Sequence, residues 1–276
     1  MTKQIVTGQT ATEGSIPWWQ SLTTAEVGTF SERDPVAVLP LAAIEQHGPH
    51  LPLSTDLEIG LGLLEAAFDI LPDGFPARVL PPQAVGCSRE HARFPGTLSV
   101  EPELLCGIIE RTGKALASCG VRRLVLSNSH GGNRSAMDEA GLRLRDEYGL
   151  LVVKASWFLF PHPDEVALPQ AEWRHGIHGG TVETAMMMHL RPELVREDHM
   201  CQAPSLGEEL EGTMLRIGPV GSVPFSWLAG DLNPSGAVGD ARRADARLGA
   251  RLVSHFGGIL AEVIRDARAF PLDRLI

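Results

Sequence analysis

Residues 35–44 read PVAVLPLAAI, and residues 45–56 continue as EQHGPHLPLSTD. The first ten lack the polar alternation of a half-solvated strand, which is the pattern of a strand covered on both faces. This run therefore predicts a central strand. The chain then leaves it through Gly and Pro, carrying Glu45, His47, His50 and Asp56. A strand that is apolar throughout thus ends in a cluster of ionisable groups, and parallel α/β sheets hold their ligands at the carboxyl ends of strands.

Working outward, STDLEIGLGLLEAAFDIL (54–71) has a Ser/Thr cap and apolar residues at helical spacing. ARVLPPQAVG (77–86) predicts a second strand, and SVEPELLCGIIERTGKALASCG (99–120) a helix with Pro in its first turn and Gly120 at its end. VRRLVLS (121–127) predicts a strand, NRSAMDEAGLRLRDEYG (133–149) a helix, and LLVVKASW (150–157) a further strand. Strands alternating with helices predict an α/β fold, a mainly parallel sheet with helices on both faces.

Residues 161–180, rich in Pro, Gly and His, read as a long loop over the site. TVETAMMMHL (181–190) reads as a helix, and residues 203–240 as loop-rich. ARRADARLGARLVSHFGGILAEVIRDARAF (241–270) reads as a closing helix with a bend at Gly257-Gly258. There is no internal repeat and no linker-like stretch, so residues 1–276 are read as one domain.

Forty-three per cent hydrophobic residues in 276 support a sizeable core. With 24 Lys and Arg against 34 Asp and Glu, the net charge is −10 and no block of like charge forms a basic arm. Nucleic acid and anionic membranes are therefore excluded as expected partners. The start, MTKQIVTGQTATEGSIPWW, lacks a continuous apolar run, and the most apolar helical stretch is interrupted by Glu58, Glu65 and Asp69. A soluble, cytoplasmic protein is expected. Cys87, Cys106, Cys119 and Cys201 form no C-x-x-C pair and read as small apolar residues in a reducing compartment.

If strand geometry persists to its end, Glu45 and His47, at i and i+2, share a face, so a carboxylate and an imidazole can serve one metal region. Asp56 either returns a second carboxylate to that place or satisfies free amides at a helix start. His130 occupies the corresponding position in NSHGGN (128–133), where Gly131 and Gly132 remove bulk and Asn133 reads as a helix N-cap. In HGIHGGTVET (175–184), beside His175, Glu183 is a ligand or a cap-region carboxylate, and His178 between flexible neighbours suits proton transfer. A His, Asp and Glu set without Cys matches Zn²⁺, Mn²⁺ or Fe²⁺. The three carboxylates Glu45, Asp56 and Glu183, with one bridging hydroxide, balance two divalent cations.

LPLAAIEQHGPHLPLSTD, EHARFPGTLSV, NSHGGN, HGIHGGTVETAMMM and PSGAVGDARRA, in that order, resemble the creatininase (creatinine amidohydrolase) family. The resemblance implies a compact α/β/α fold, a binuclear metal site, hydrolysis of C–N bonds in cyclic or linear amides, and a homo-oligomer, often a hexamer. By position it implies that Glu45 and His130 bind one metal, His47 the other, and Asp56 both, with His178 as the proton-handling histidine. Creatininase carries a carboxylate two residues after the strand-end histidine, where this chain has Gly132, so Glu183 is the expected substitute ligand.

The expected reaction is attack of a metal-bridging hydroxide on a small cyclic or linear non-peptide amide, with His178 passing a proton to the leaving nitrogen and Glu183 assisting. The His-Gly-Gly-Asn form is closer to relatives that deformylate a pyrimidine nucleotide precursor or trim a precursor peptide, and these are the alternatives. Substrate is expected between the sheet edge and residues 158–180, with room at Gly131 and Gly132 and an apolar wall of Trp157, Trp173 and Trp227. Arg89, Arg93 and Arg174 would serve a phosphorylated substrate. A non-catalytic metal-binding protein is the reading from another class. The first 30 residues are assigned either to the active site or to a subunit contact.

Overall fold

The computed structural model describes residues 16–275. The first fifteen residues, on which much of the reading of the N-terminus rests, lie outside the described residues. The chain enters through helix α1 (Thr24–Ser31), which the sequence reading did not include. Its start is a capping box: Thr23 Oγ1 accepts from Glu26 N–H, and the Glu26 carboxylate accepts from Thr23 N–H. Then follow β1 (Val36–Leu41), α2 (Thr55–Ile70), β2 (Ala77–Val79), α3 (Pro102–Ser118), β3 (Arg123–Asn128), α4 (Arg134–Tyr148) and β4 (Leu151–Ser156). The four strands form one parallel sheet in the order β2-β1-β3-β4.

The remaining elements are short until the last. They are α5 (Gln170–His175), α6 (Thr181–Leu190), β5 (Gln202–Ala203), α7 (Leu206–Glu211), α8 (Ala229–Leu232), β6 (Gly239–Asp240) and α9 (Ala246–Ala269). Strands β5 and β6 pair antiparallel apart from the main sheet. Among the described residues, no helix is long and apolar enough to cross a membrane.

The run 35–44 is apolar because β1 is buried on both faces. Val36 and Val38 pack with α2, α6 and α9 through Leu63, Met186 and Phe256. Ala37, Leu39 and Leu41 pack with α3 and α4 through Ile109, Leu116 and Leu144. The architecture is therefore three layers, α/β/α. Pro40 is unusual inside a central strand. Leu80 N–H donates to Val38 O and Gln83 N–H to Pro40 O, so these residues face β2. Because β2 ends at Val79, the N–H that Pro40 lacks would point beyond that strand.

Three expectations need correction. The strand predicted over 77–86 stops at Val79, since Pro81 and Pro82 cannot continue a ladder, and only an isolated bridge between Leu41 and Gln83 extends it. The closing helix runs unbroken from Ala246 to Ala269. Gly257 serves close packing rather than a bend, because a Cβ there would lie 2.6 Å from Ala66 Cβ on α2. Asn133 does not cap α4: its side chain donates to Ala42 O and Asn128 Oδ1 and accepts from Cys87 N–H. It ties together the ends of β1 and β3 and the 86–88 segment, and so shapes the site.

Candidate active site

The carboxyl ends of β1 and β3 and the starts of α2 and α6 converge. The segment after β1 supplies Glu45, Gln46 and His47, the first turn of α2 Asp56, the end of β3 His130, and α6 with its preceding turn Glu183 and His178. All are buried, with Glu45 at 1% exposure and His47 at 0%. Three sets of side chains have ligand atoms close enough to share an ion, Glu45–Asp56–His130, His47–Asp56–Glu183 and Glu45–His47–His178, and the first two are triads joined through Asp56. Asp56 belongs to both: Oδ1 lies 3.2 Å from His47 Nε2, and Oδ2 lies 3.3 Å from His130 Nδ1. Glu45 Oε1 is 3.2 Å from His130 Nδ1, and Glu183 Oε2 is 3.9 Å from His47 Nε2.

Main-chain carbonyls fix the imidazoles. A carbonyl only accepts, so His47 Nδ1–H donates to Glu45 O at 3.1 Å and His130 Nε2–H to Cys87 O at 2.9 Å. The opposite nitrogen of each ring therefore points at carboxylates. His178 Nε2–H donates to Gln46 O at 2.6 Å, leaving Nδ1 facing Glu45 Oε1 at 3.8 Å. Both Glu45 oxygens, Asp56 Oδ2 and His47 Nε2 are buried without a hydrogen-bond partner. Lone pairs facing carboxylate oxygens at this range, out of water, require a proton or a cation between them. The donor set, imidazole nitrogens and carboxylate oxygens with no thiolate, fits a divalent cation.

The charges follow from this packing. Burial alone would favour neutral Glu45, but the adjacent His130 holds its carboxyl down at about 2. Asp56 is likewise held at about 2, against its burial, by His47 and His130. Burial works to lower the pKa of His47, yet Asp56, Glu183 and Glu45 raise it to about 9. Against its own burial, His130 is raised well above its ordinary value by Glu45 and Asp56. Burial pushes Glu183 up to about 7. Burial and then the neighbouring His47 and His91 push His178 well below the imidazole range. Without metal, protons on His47 and His130 therefore stand where a cation would sit.

Other residues singled out in the sequence make contacts of their own outside the two triads. His50 Nε2 lies 2.9 Å from Thr184 Oγ1, and His175 Nε2 lies 3.1 Å from Glu211 Oε1. Trp157 packs in the core against Phe256, Trp173 stacks on His162 at 4.0 Å, and Trp227 Nε1–H donates to Pro219 O. Arg174 pairs with Glu211, while Arg89 and Arg93 are exposed. The two glycines differ: nothing lies within 4 Å of a Cβ at Gly131, whereas one at Gly132 would stand 2.0 Å from Cys87 O and 2.6 Å from His130 Nε2.

The sequence reading gave no role to His91, although EHARFPGTLSV was among the stretches carrying the resemblance. His91 is 2% exposed, its Nε2 lies 3.4 Å from Glu45 Oε1, and its ring stacks on His178 at 4.2 Å. A 3-10 turn, Arg89–His91, brings it in.

A mycofactocin precursor peptide peptidase of Mycobacterium ulcerans (strain Agy99) is 34% identical over 239 residues, covering 84% of this chain and 82% of that protein. The peptidase of the same name from Mycolicibacterium smegmatis (strain ATCC 700084 / mc(2)155) is 32% identical over 247 residues, covering 87% and 90%. A creatinine amidohydrolase of Pseudomonas putida is 30% identical over 189 residues, 62% of this chain and 70% of the relative. The solved structure described as "Creatininase Mn" matches with a TM-score of 0.73 and 25% identity over 93% of this chain and 100% of that one. The creatininase family model, described as creatinine amidohydrolase, matches residues 20–264, and this chain belongs to that family of hydrolases.

Proposed function

We propose that the protein hydrolyses a peptide amide bond, using two divalent cations held by the triads that share Asp56. The observation that carries the hydrolytic reading is that shared carboxylate, with orphaned ligand atoms on both sides and His178 Nδ1 beside them. The peptide as substrate class is supported by the names of the mycobacterial relatives and favoured over the cyclic and other non-peptide amides first expected. Bound cations would supply the positive charge that polarises a carbonyl and acidifies a water.

The chain's own residues supply the rest. Because His178 Nε2–H is committed to Gln46 O, the Nδ1 lone pair is the free proton acceptor. It takes a proton from the attacking water and returns it to the leaving nitrogen as the C–N bond breaks and the new C–O bond forms. Glu183 Oε2 accepts from Gly179 N–H at 2.6 Å, which fixes the turn carrying His178. A homo-oligomer belongs to the same proposal, and light scattering in solution tests it.

The test is mass spectrometry of products from Zn²⁺- or Mn²⁺-loaded protein given short peptides, creatinine with other lactams, and N-formyl amines. Gain of one water confined to peptides is the expected result. Turnover confined to lactams or formyl amines would replace the peptide reading. No turnover with metal bound would favour a non-catalytic metal-binding protein.

A further inference from the structure

His91 belongs to none of the three ligand sets, yet it lies between Glu45 and His178. The hydrogen bonds behind it decide which of its nitrogens carries the proton. Gly48 N–H donates to Gln46 Oε1 at 2.9 Å, and Gln46 Nε2 donates to Gly236 O at 2.9 Å, so the side-chain amide has one orientation. Its other N–H reaches His91 Nδ1 at 2.8 Å, which must therefore accept. The amide nitrogen is also 3.1 Å from His178 Nε2, but that nitrogen already donates to Gln46 O, so the approach is a contact only. Hence neutral His91 carries its proton on Nε2, the atom 3.4 Å from Glu45 Oε1.

The surroundings are built for this arrangement. Gly236 has φ +81, and a Cβ there would lie 2.3 Å from Gln46 Oε1, so the backbone comes close enough for the amide to be gripped from both sides. The His91 ring stacks on His178 at an interplanar angle of 26°, and His178 stacks in turn on His47 at 4.1 Å. Filling this volume would require only an apolar ring. The polarity, set from the main chain through Gln46, is what packing alone leaves unexplained.

We propose that His91 is a positioning residue of the metal site: Gln46 fixes its tautomer, its Nε2–H faces the Glu45 carboxylate, and its ring holds the plane of His178. The inference rests on the reading of Glu45 as a metal ligand. Groups behind a ligand that set its orientation typically matter by about 10- to 100-fold in metal affinity.

The experiment measures the Zn²⁺ dissociation constant of the full-length protein by chelator competition, with circular dichroism to verify folding. His91→Phe keeps a stacking ring without the N–H, and His91→Gln places an N–H near the original Nε2. Gln46→Glu sets a carboxylate against His91 Nδ1 while Glu45 stands against Nε2, so the ring carries both protons and its positive charge competes with Zn²⁺ for the Glu45 carboxylate. We expect His91→Phe and Gln46→Glu to weaken Zn²⁺ binding by roughly 10- to 100-fold and His91→Gln to recover most of the loss. Wild-type affinity in His91→Phe and Gln46→Glu would overturn the inference while leaving the metal site standing, as would a loss in His91→Gln equal to that in His91→Phe. A wild-type protein that binds no Zn²⁺ would overturn both. If His91→Phe does not fold, His91→Gln against Gln46→Glu decides, and equal affinities overturn the proposal.

Discussion

Gly132→Ala adds one methyl group at a place where the structure leaves no room. The new Cβ would stand 2.0 Å from Cys87 O and 2.6 Å from His130 Nε2, and the first of these is main chain. Ordinary carbon–oxygen contact needs roughly 3.4 Å, so the Cys87 carbonyl or the turn must give way by more than ~1 Å. That carbonyl accepts the His130 Nε2–H that keeps Nδ1 aimed at Glu45 and Asp56. Overpacking costs about 1–3 kcal/mol, and a lost hydrogen bond about 0.5–1.5 kcal/mol. Together they predict a loss of about 2–4 kcal/mol, or a Tm lower by roughly 5–15 °C for a chain of this size. Because His130 is set free, Zn²⁺ affinity should also fall by about 10- to 100-fold.

The control is Gly131→Ala, whose Cβ meets nothing within 4 Å. Thermal melts and chelator competition on both variants are the assay. A Gly132→Ala protein with the wild-type Tm and Zn²⁺ affinity would refute the steric argument. The same contacts leave no room for a carboxylate at this position. A side chain at 132 would meet Glu90 Oε1, 2.9 Å from the Cβ position, as well as the Cys87 carbonyl.

The other predictions concern protons and buried charge. Zn²⁺ binding at pH 7 should release roughly two to three protons, one each from His47 and His130, which carry raised pKa values without metal, and part of one from Glu183, raised to about 7; calorimetry in buffers of different ionisation enthalpy would contradict this if the heats agreed. The metal-free protein should lose stability at high pH. With His47 raised from 6.5 to about 9, its pairing stabilises fully below pH 6.5 and is lost as pH rises through 9. That loss amounts to about 3 kcal/mol, and denaturant midpoints unchanged between pH 6 and 10 would count against it. His178→Ala should bind Zn²⁺ normally and lose about 10²- to 10⁴-fold in turnover, whereas retained turnover would remove its proton-transfer role. Glu172 accepts from Thr181 N–H at 2.7 Å and Asp240 N–H at 2.9 Å, so Glu172→Ala strands two main-chain donors. It should destabilise by about 2–4 kcal/mol, and a denaturant midpoint equal to wild type would refute it.

The sequence by itself determined the layers and most members of the buried His, Asp and Glu cluster. A run such as 35–44 must be covered on both faces, so the sheet and its flanking helices follow from hydrophobic pattern alone. Glu45 and His47 were legible because charged groups at the end of an apolar strand need partners, Asp56 as one of two readings of a helix start, and His130 because it repeats the strand-end position two strands later in the chain. Only the tertiary structure decided how those groups meet. That Asp56 faces two histidines with different oxygens depends on the fold of a loop and the first turn of α2. His91 and Gln46 were invisible as site residues, because their meaning lies in hydrogen bonds to Gly48 and Gly236 across the fold. Likewise, composition cannot tell an open glycine from a crowded one: Gly131 and Gly132 are adjacent in sequence, and only their surroundings separate them.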